Sequence, residues 1–226
     1  KDKVFIFPVG STLIKTFAYL NQNGSLEQQL LETRLLINTA SGWKAISYVW
    51  NKEQTDAKRA IAGATIPTSF VNHDSKIVDV RYRAPNQNQC KECHQVSKVM
   101  TPIGPKARNM NKLMQYESVE MNQLTYWAAL GWIDQNLKAE AMGDYADLSA
   151  SLNDRARAYL DINCGHCHNP AGPADTSGMF LTRETTEVLR LGVCKPPVAA
   201  GQGTGGRPVG IHPGYPENSI LTYRMS

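Results

Sequence analysis

The sequence has no apolar run that approaches the length of a membrane helix, so nothing in these 226 residues reads as a helical span of a bilayer. It also lacks a basic stripe interleaved with aromatic residues. The 24 Lys and Arg and 20 Asp and Glu are scattered, leaving a formal charge of +4. That distribution gives no footprint for nucleic-acid binding and at most a weak pull on acidic partners. No internal repeat of domain size and no low-complexity tract is present. Hydrophobic content of 42% and charged content of 19% are ordinary for a globular chain with a real core. No leader is recognisable, because the chain opens on Lys1-Asp-Lys-Val-Phe-Ile-Phe-Pro. A leader is removed from mature protein, so that absence does not assign a cytoplasmic location. The last residues, Leu221 to Ser226, carry no terminating-helix signature, and we expect further residues beyond both ends.

Histidine and cysteine are scarce, five of each, and their placement is not random. Four of the cysteines and three of the histidines fall in Cys90-Lys-Glu-Cys93-His94 and Cys164-Gly-His-Cys167-His168, two of those histidines directly after a cysteine pair. Two cysteines two residues apart can each form a thioether to one vinyl group of the same haem. The histidine that follows then lies under the iron, where it supplies an imidazole ligand. Two such strings in one chain predict two covalently bound haems c. Cys90, Cys93, Cys164 and Cys167 would be the attachment residues, and His94 and His168 the proximal iron ligands. Zinc held by the same four thiolates is the main competing reading. It leaves the histidine after each pair without a role, and the 70 residues between Cys93 and Cys164 exceed the spacing of ordinary zinc ribbons. Two disulfides explain still less. Cys194, the fifth cysteine, is expected to be buried and inert.

The pattern around these motifs predicts an α+β chain. Residues 1–84 read as a β-rich domain, an antiparallel sheet or sandwich. Its candidate strands, rich in β-branched and aromatic residues, are 4–7, 13–19, 32–37, 44–50 and 77–83, with a turn at Ser41-Gly42. Residues 85–150 form a first haem-binding segment with helices, and apolar spacing predicts an amphipathic helix over 118–134. Residues 151–226 form the second haem domain. There Leu152, Ala156, Tyr159 and Leu160 make a helical stripe behind Ser151 and Asp154, which have capping-box spacing, and this helix runs into Cys164. From 192 to 218, 12 of 27 residues are Gly or Pro, which predicts an irregular loop of the kind that wraps a cofactor.

The segment Asp154-Arg-Ala-Arg-Ala-Tyr-Leu-Asp-Ile-Asn-Cys164-Gly-His-Cys167-His168-Asn-Pro resembles the start of a class I cytochrome c domain. Together with Phe7-Pro-Val-Gly10, Leu31-Glu-Thr-Arg-Leu-Leu36, Pro102-Ile-Gly-Pro-Lys106, Ala174-Asp-Thr-Ser-Gly178 and Gly192-Val-Cys-Lys-Pro-Pro197, it resembles a family of bacterial dihaem c-type cytochromes. The N-terminal part is more distantly similar to cytochrome P460-type proteins. The family resemblance implies a periplasmic or extracellular protein with two haems. It also implies a Met-Pro-containing segment and a last helix beyond Met225, which this sequence does not include.

The sixth ligands stay open. The imidazoles available are His73, His166 and His212. The thioethers are Met100, Met110, Met114, Met121, Met142, Met179 and Met225. Class I domains place a methionine well downstream of the attachment site, which singles out Met225 for the second haem. Most methionines in a chain fill core space instead. His212 sits in the Gly/Pro-rich loop and His73 in a turn, while His166 lies inside its own motif, where it faces solvent or reaches a neighbouring haem or a neighbouring molecule. Axial identity sets the potential over roughly 0.8 V, and an iron with an open position binds small ligands. Three functions therefore compete. The first is transfer of electrons between redox protein partners outside the cytoplasm. The second is a subunit of an extracellular haem chain or filament, whose partners are copies of itself. The third is a dihaem peroxidase-type enzyme with one open iron.

Overall fold

The structure is a computed structural model that describes residues 3–20, 28–72, 74–198 and 201–225. It is α+β: antiparallel sheets in the N-terminal part precede a C-terminal part of short helices and loops. Backbone contacts divide the chain into two compact units, Ile6–His94 and a second made of Lys1–Phe5 with Gln95–Ser226. We call them the β unit and the helix/loop unit.

In the β unit, β1 (Thr12–Leu20), β2 (Gln28–Thr39), β3 (Gly42–Trp50) and β4 (Ala57–Arg59) form one antiparallel sheet in that order. The β2–β3 hairpin closes at Thr39↔Gly42, where Gly42 takes φ +101°, a conformation glycine adopts without cost. Register slips between Phe17 and Ala18, which face Glu32 and Leu30, so β2 has one extra residue there. A regular strand sends neighbouring side chains to opposite faces. The bulge relaxes that alternation, and Leu31 and Glu32 are both buried. A second ribbon pairs β5 (Ala64–Val71) with β6 (Ile77–Ala84). Neither β4 nor β5 stands out in the sequence: β4 is short and basic, and β5 contains Pro67. In a two-stranded ribbon each strand has a free edge, so a missing N–H there is tolerated.

The β unit ends in α1 (Gln87–Cys93), which contains the first motif. A reciprocal capping box starts it: the Gln89 N–H donates to the Asn86 side chain, and the Asn86 N–H donates to the Gln89 side chain, both at 3.0 Å. The Ser47 hydroxyl on β3 donates to the Pro85 carbonyl just ahead of it, at 3.1 Å. Gly63 lies so close to this entry that an added Cβ would stand 2.7 Å from the Ala84 carbonyl oxygen.

The helix/loop unit holds two small hairpins, β7 (Gln95–Val96) with β8 (Val99–Met100) and β9 (Leu113–Tyr116) with β10 (Val119–Asn122). Its helices are α2 (Ala107–Met110), α3 (Gln123–Ala129), α4 (Leu152–Asn163) and α5 (Ile220–Met225). Three differences from the sequence reading have clear causes. The helix expected over 118–134 shrinks to α3, because residues 119–122 pair with β9 and the Asn122 side chain caps the backbone N–H groups of Leu124 and Thr125. The strand expected at 4–7 reduces to a single bridge between Val4 and Lys106. The chain end, expected to lack a helix, forms α5, whose first N–H groups donate to the Val209 and Gly210 carbonyls. By contrast α4 forms as expected, with the Asp154 N–H donating to the Ser151 hydroxyl at its start and Cys164 at its C-cap. The core of this unit includes Ala107, Leu124, Ala158, Phe180 and Leu181. Among the described residues no helix is long and apolar enough to cross a membrane.

Candidate haem-attachment sites

The second motif is organised from α4 outward. Arg108 and Asp161 are almost fully buried, and the Arg108 guanidinium donates to the Asp161 carboxylate at 2.7 Å and also to Glu184. The same Asp161 oxygen accepts the Arg183 N–H at 2.9 Å. Arg157, one turn earlier, donates to the carbonyls of Thr182, Arg183 and Thr185. These bonds fasten the 180–185 segment along α4. Leu181, fully buried, donates its N–H to the His168 carbonyl at 2.9 Å. Helix, histidine loop and returning segment are thus locked by charge-assisted hydrogen bonds.

At His168 the ring itself is oriented. Nδ1 lies 3.2 Å from the Met179 carbonyl oxygen, with the Ser177 hydroxyl at 3.4 Å. A carbonyl only accepts, so Nδ1 carries the proton and Nε2 holds the lone pair. Burial pushes the imidazole pKa below its ordinary value; the Met179 hydrogen bond opposes this, and the positive charge of Arg224 adds to it. The ring is therefore kept neutral, the form that ligates a metal. Cys164 and His168 line a cavity of about 440 Å³ together with Met179, Leu181, Ile220 and Met225. That volume falls within the range of cofactor sites. Burial raises the Cys164 thiol pKa.

The first motif is held differently. Cys90 is buried on α1 and Cys93 is exposed, while His94 forms the C-cap with its N–H donating to the Cys90 carbonyl at 2.9 Å. Near Cys90 lies a buried polar cluster. Glu32, with no exposed surface, accepts two hydrogen bonds from Arg34 at 2.6 and 2.9 Å and one from the Tyr82 hydroxyl at 2.7 Å. The Arg34 guanidinium also lies 4.2 Å from the centre of the Phe17 ring. Burial and the bond to Glu32 push the Tyr82 phenol well above its ordinary pKa. Burial also raises the Cys90 thiol, against the pull of Arg34.

The structure thus brings Cys164, His168 and Met225 to one cavity. Cys167, one residue before His168, is half-buried and is not among the described residues that line it. His166 and His212 are not among them either. His166 is half-buried, its pKa lowered by burial and then by His168 and Lys106. His212 packs edge-on against Tyr215 and donates its N–H to the Ser219 hydroxyl. His73 lies outside the described residues. Cys194, expected to be buried, is exposed, because its N–H bonds the Ile211 carbonyl while the side chain faces outward at φ +54°. No disulfide joins any of the five cysteines, all of which are among the described residues. Sequence reasoning missed the Met179 carbonyl, which as a backbone group leaves no trace in residue identity. It also missed Lys195 and Arg224 on the cavity wall.

This donor set fits a haem c: a free thiol, an oriented neutral imidazole and a largely apolar cavity that meet in one place. Comparison with protein-family models, with curated proteins and with solved structures finds no match.

Proposed function

We propose that the chain is a dihaem c-type cytochrome that passes electrons between redox partners outside the cytoplasm. The observation that carries this reading is the hydrogen bond from His168 Nδ1 to the Met179 carbonyl beside a cavity lined by Cys164. A proximal histidine needs such a second partner to fix its tautomer and ring angle. In this reading Cys90 and Cys93 hold one haem and Cys164 and Cys167 the other, with His94 and His168 as proximal ligands. When bound, each haem supplies a one-electron iron couple. The chain's own residues do the rest. Met179 fixes the His168 proton on Nδ1, Leu181 and Ile220 keep the cavity wall apolar, and Met225, on the same lining, would supply a sixth ligand. The extracytoplasmic location rests on the resemblance to dihaem cytochromes and on the covalent attachment motif. Partner copies in a haem chain are compatible with the same site chemistry.

The absorption spectrum of the isolated protein, oxidised and then reduced, tests the reading. Sharp low-spin c-type bands in both states are expected of a carrier. High-spin bands would move the peroxidase-type reading ahead, and the absence of a Soret band would return the cysteines to zinc.

A further inference from the structure

The cavity beside His168 has an uneven charge. Among its described lining residues the only charged side chains are Lys195 and Arg224, both positive, and no carboxylate lines it. Neither cation is ion-paired with a described residue, whereas Arg34, Arg108, Arg183 and Arg190 all have carboxylate partners. The fold holds both in place. The Lys195 carbonyl accepts the Gly210 N–H at 2.8 Å, and its ammonium end lies along Gly178, where an added Cβ would meet Nζ at 3.4 Å. Arg224 lies on α5 with its guanidinium against Gly203, where an added Cβ would stand 2.7 Å from Nη1. Glycine at 178 and at 203 therefore leaves room for these two cationic ends. Two cations without a carboxylate partner among the described residues, beside a largely apolar cavity, call for a ligand that is apolar over most of its surface and anionic at its edge.

We infer that Lys195 and Arg224 form a cationic rim that receives the carboxylates of the ligand held at Cys164 and His168, and that their charge raises its reduction potential. This rests on the haem reading above, in which the carboxylates are the haem propionates. Positive charge near the iron favours the form that has gained an electron, so removing a cation favours the oxidised form.

The test is spectroelectrochemical titration of the full-length holoprotein, wild type against Lys195→Met, Arg224→Gln and Arg224→Lys. The expected result is that one of the two midpoints falls in Lys195→Met and in Arg224→Gln, while the other midpoint stays put. The reduction equilibrium constant of that haem should drop by roughly two- to tenfold per charge removed, tenfold being 59 mV for one electron. Arg224→Lys, which keeps the charge, should hold close to the wild-type value. Unchanged midpoints in both neutral variants, with haem attached and low-spin, would overturn the rim while leaving the cytochrome reading intact. An equal loss in Arg224→Lys and Arg224→Gln would overturn it as well, by showing that shape rather than charge matters. A protein without covalent haem would overturn both.

Discussion

His168 Nδ1 stands 3.2 Å from the carbonyl oxygen of Met179, eleven residues further along the chain. That contact ties the attachment loop to the segment that returns along α4. It leaves Nε2 with the lone pair, the nitrogen that would meet the iron in the proposed reading, and it is made by backbone that no substitution at 179 can delete.

Replacing His168 by Gly should leave the second haem attached through Cys164 and Cys167 but remove its proximal ligand. We expect high-spin absorption bands from one haem of two, and added imidazole should return them to low spin. An unchanged spectrum would show that His168 does not ligate iron.

Met225 lines the same cavity. Met225→Ala should open the sixth position of the second haem, giving high-spin bands and new binding of small ligands such as cyanide. It should also lower that haem's potential, because methionine ligation raises it. A wild-type spectrum in this variant would assign the position to another residue.

Arg108 and Asp161 form a buried pair, with side chains 4% and 1% exposed. Arg108→Met strands the Asp161 carboxylate with the Arg183 N–H as its hydrogen-bond donor among the described residues. The expected cost is about 3–5 kcal/mol, the range for breaking a buried pair from one side, read by denaturant titration of the holoprotein. In the β unit, Tyr82→Phe removes one of three hydrogen bonds to buried Glu32 and should cost about 1.5–3 kcal/mol without altering haem content.

Acid should loosen the helix/loop unit. Burial would raise the Glu184 pKa, but hydrogen bonds to its carboxylate and the charge of Arg108 win and hold it below its ordinary 4.5. A carboxyl with a depressed folded pKa stabilises the fold above its unfolded pKa and loses that contribution as pH falls through the folded value. The thermal midpoint should therefore decline as pH drops below about 4.5, and Glu184→Gln should flatten that slope. Because Glu184 is half exposed, the effect is modest.

Much of the fold was legible in the sequence where side chains alone decide. The alternating runs of β1, β2, β3 and β6 and the Ser151 cap of α4 declare themselves by residue type and spacing. What escaped depends on backbone partners or on long-range pairing. The β9–β10 hairpin absorbs apolar residues that mimic helical spacing, and the burial of Glu32 goes with a bulge opposite Phe17 and with its bonds to Arg34 and Tyr82. At the site, the two Cys-x-x-Cys-His strings are plain in the sequence, and its downstream position marks Met225. The Met179 carbonyl and the Lys195–Arg224 rim were not, since neither a carbonyl nor a pair of cations 29 positions apart forms a motif.

Two covalently attached haems would survive extraction of any non-covalent haem and be counted in the alkaline pyridine haemochrome spectrum of the denatured protein. The expected spectrum is c-type with two haems per chain, falling to one when Cys164 and Cys167 are both replaced by Ala. A chain that retains no haem after extraction would contradict it.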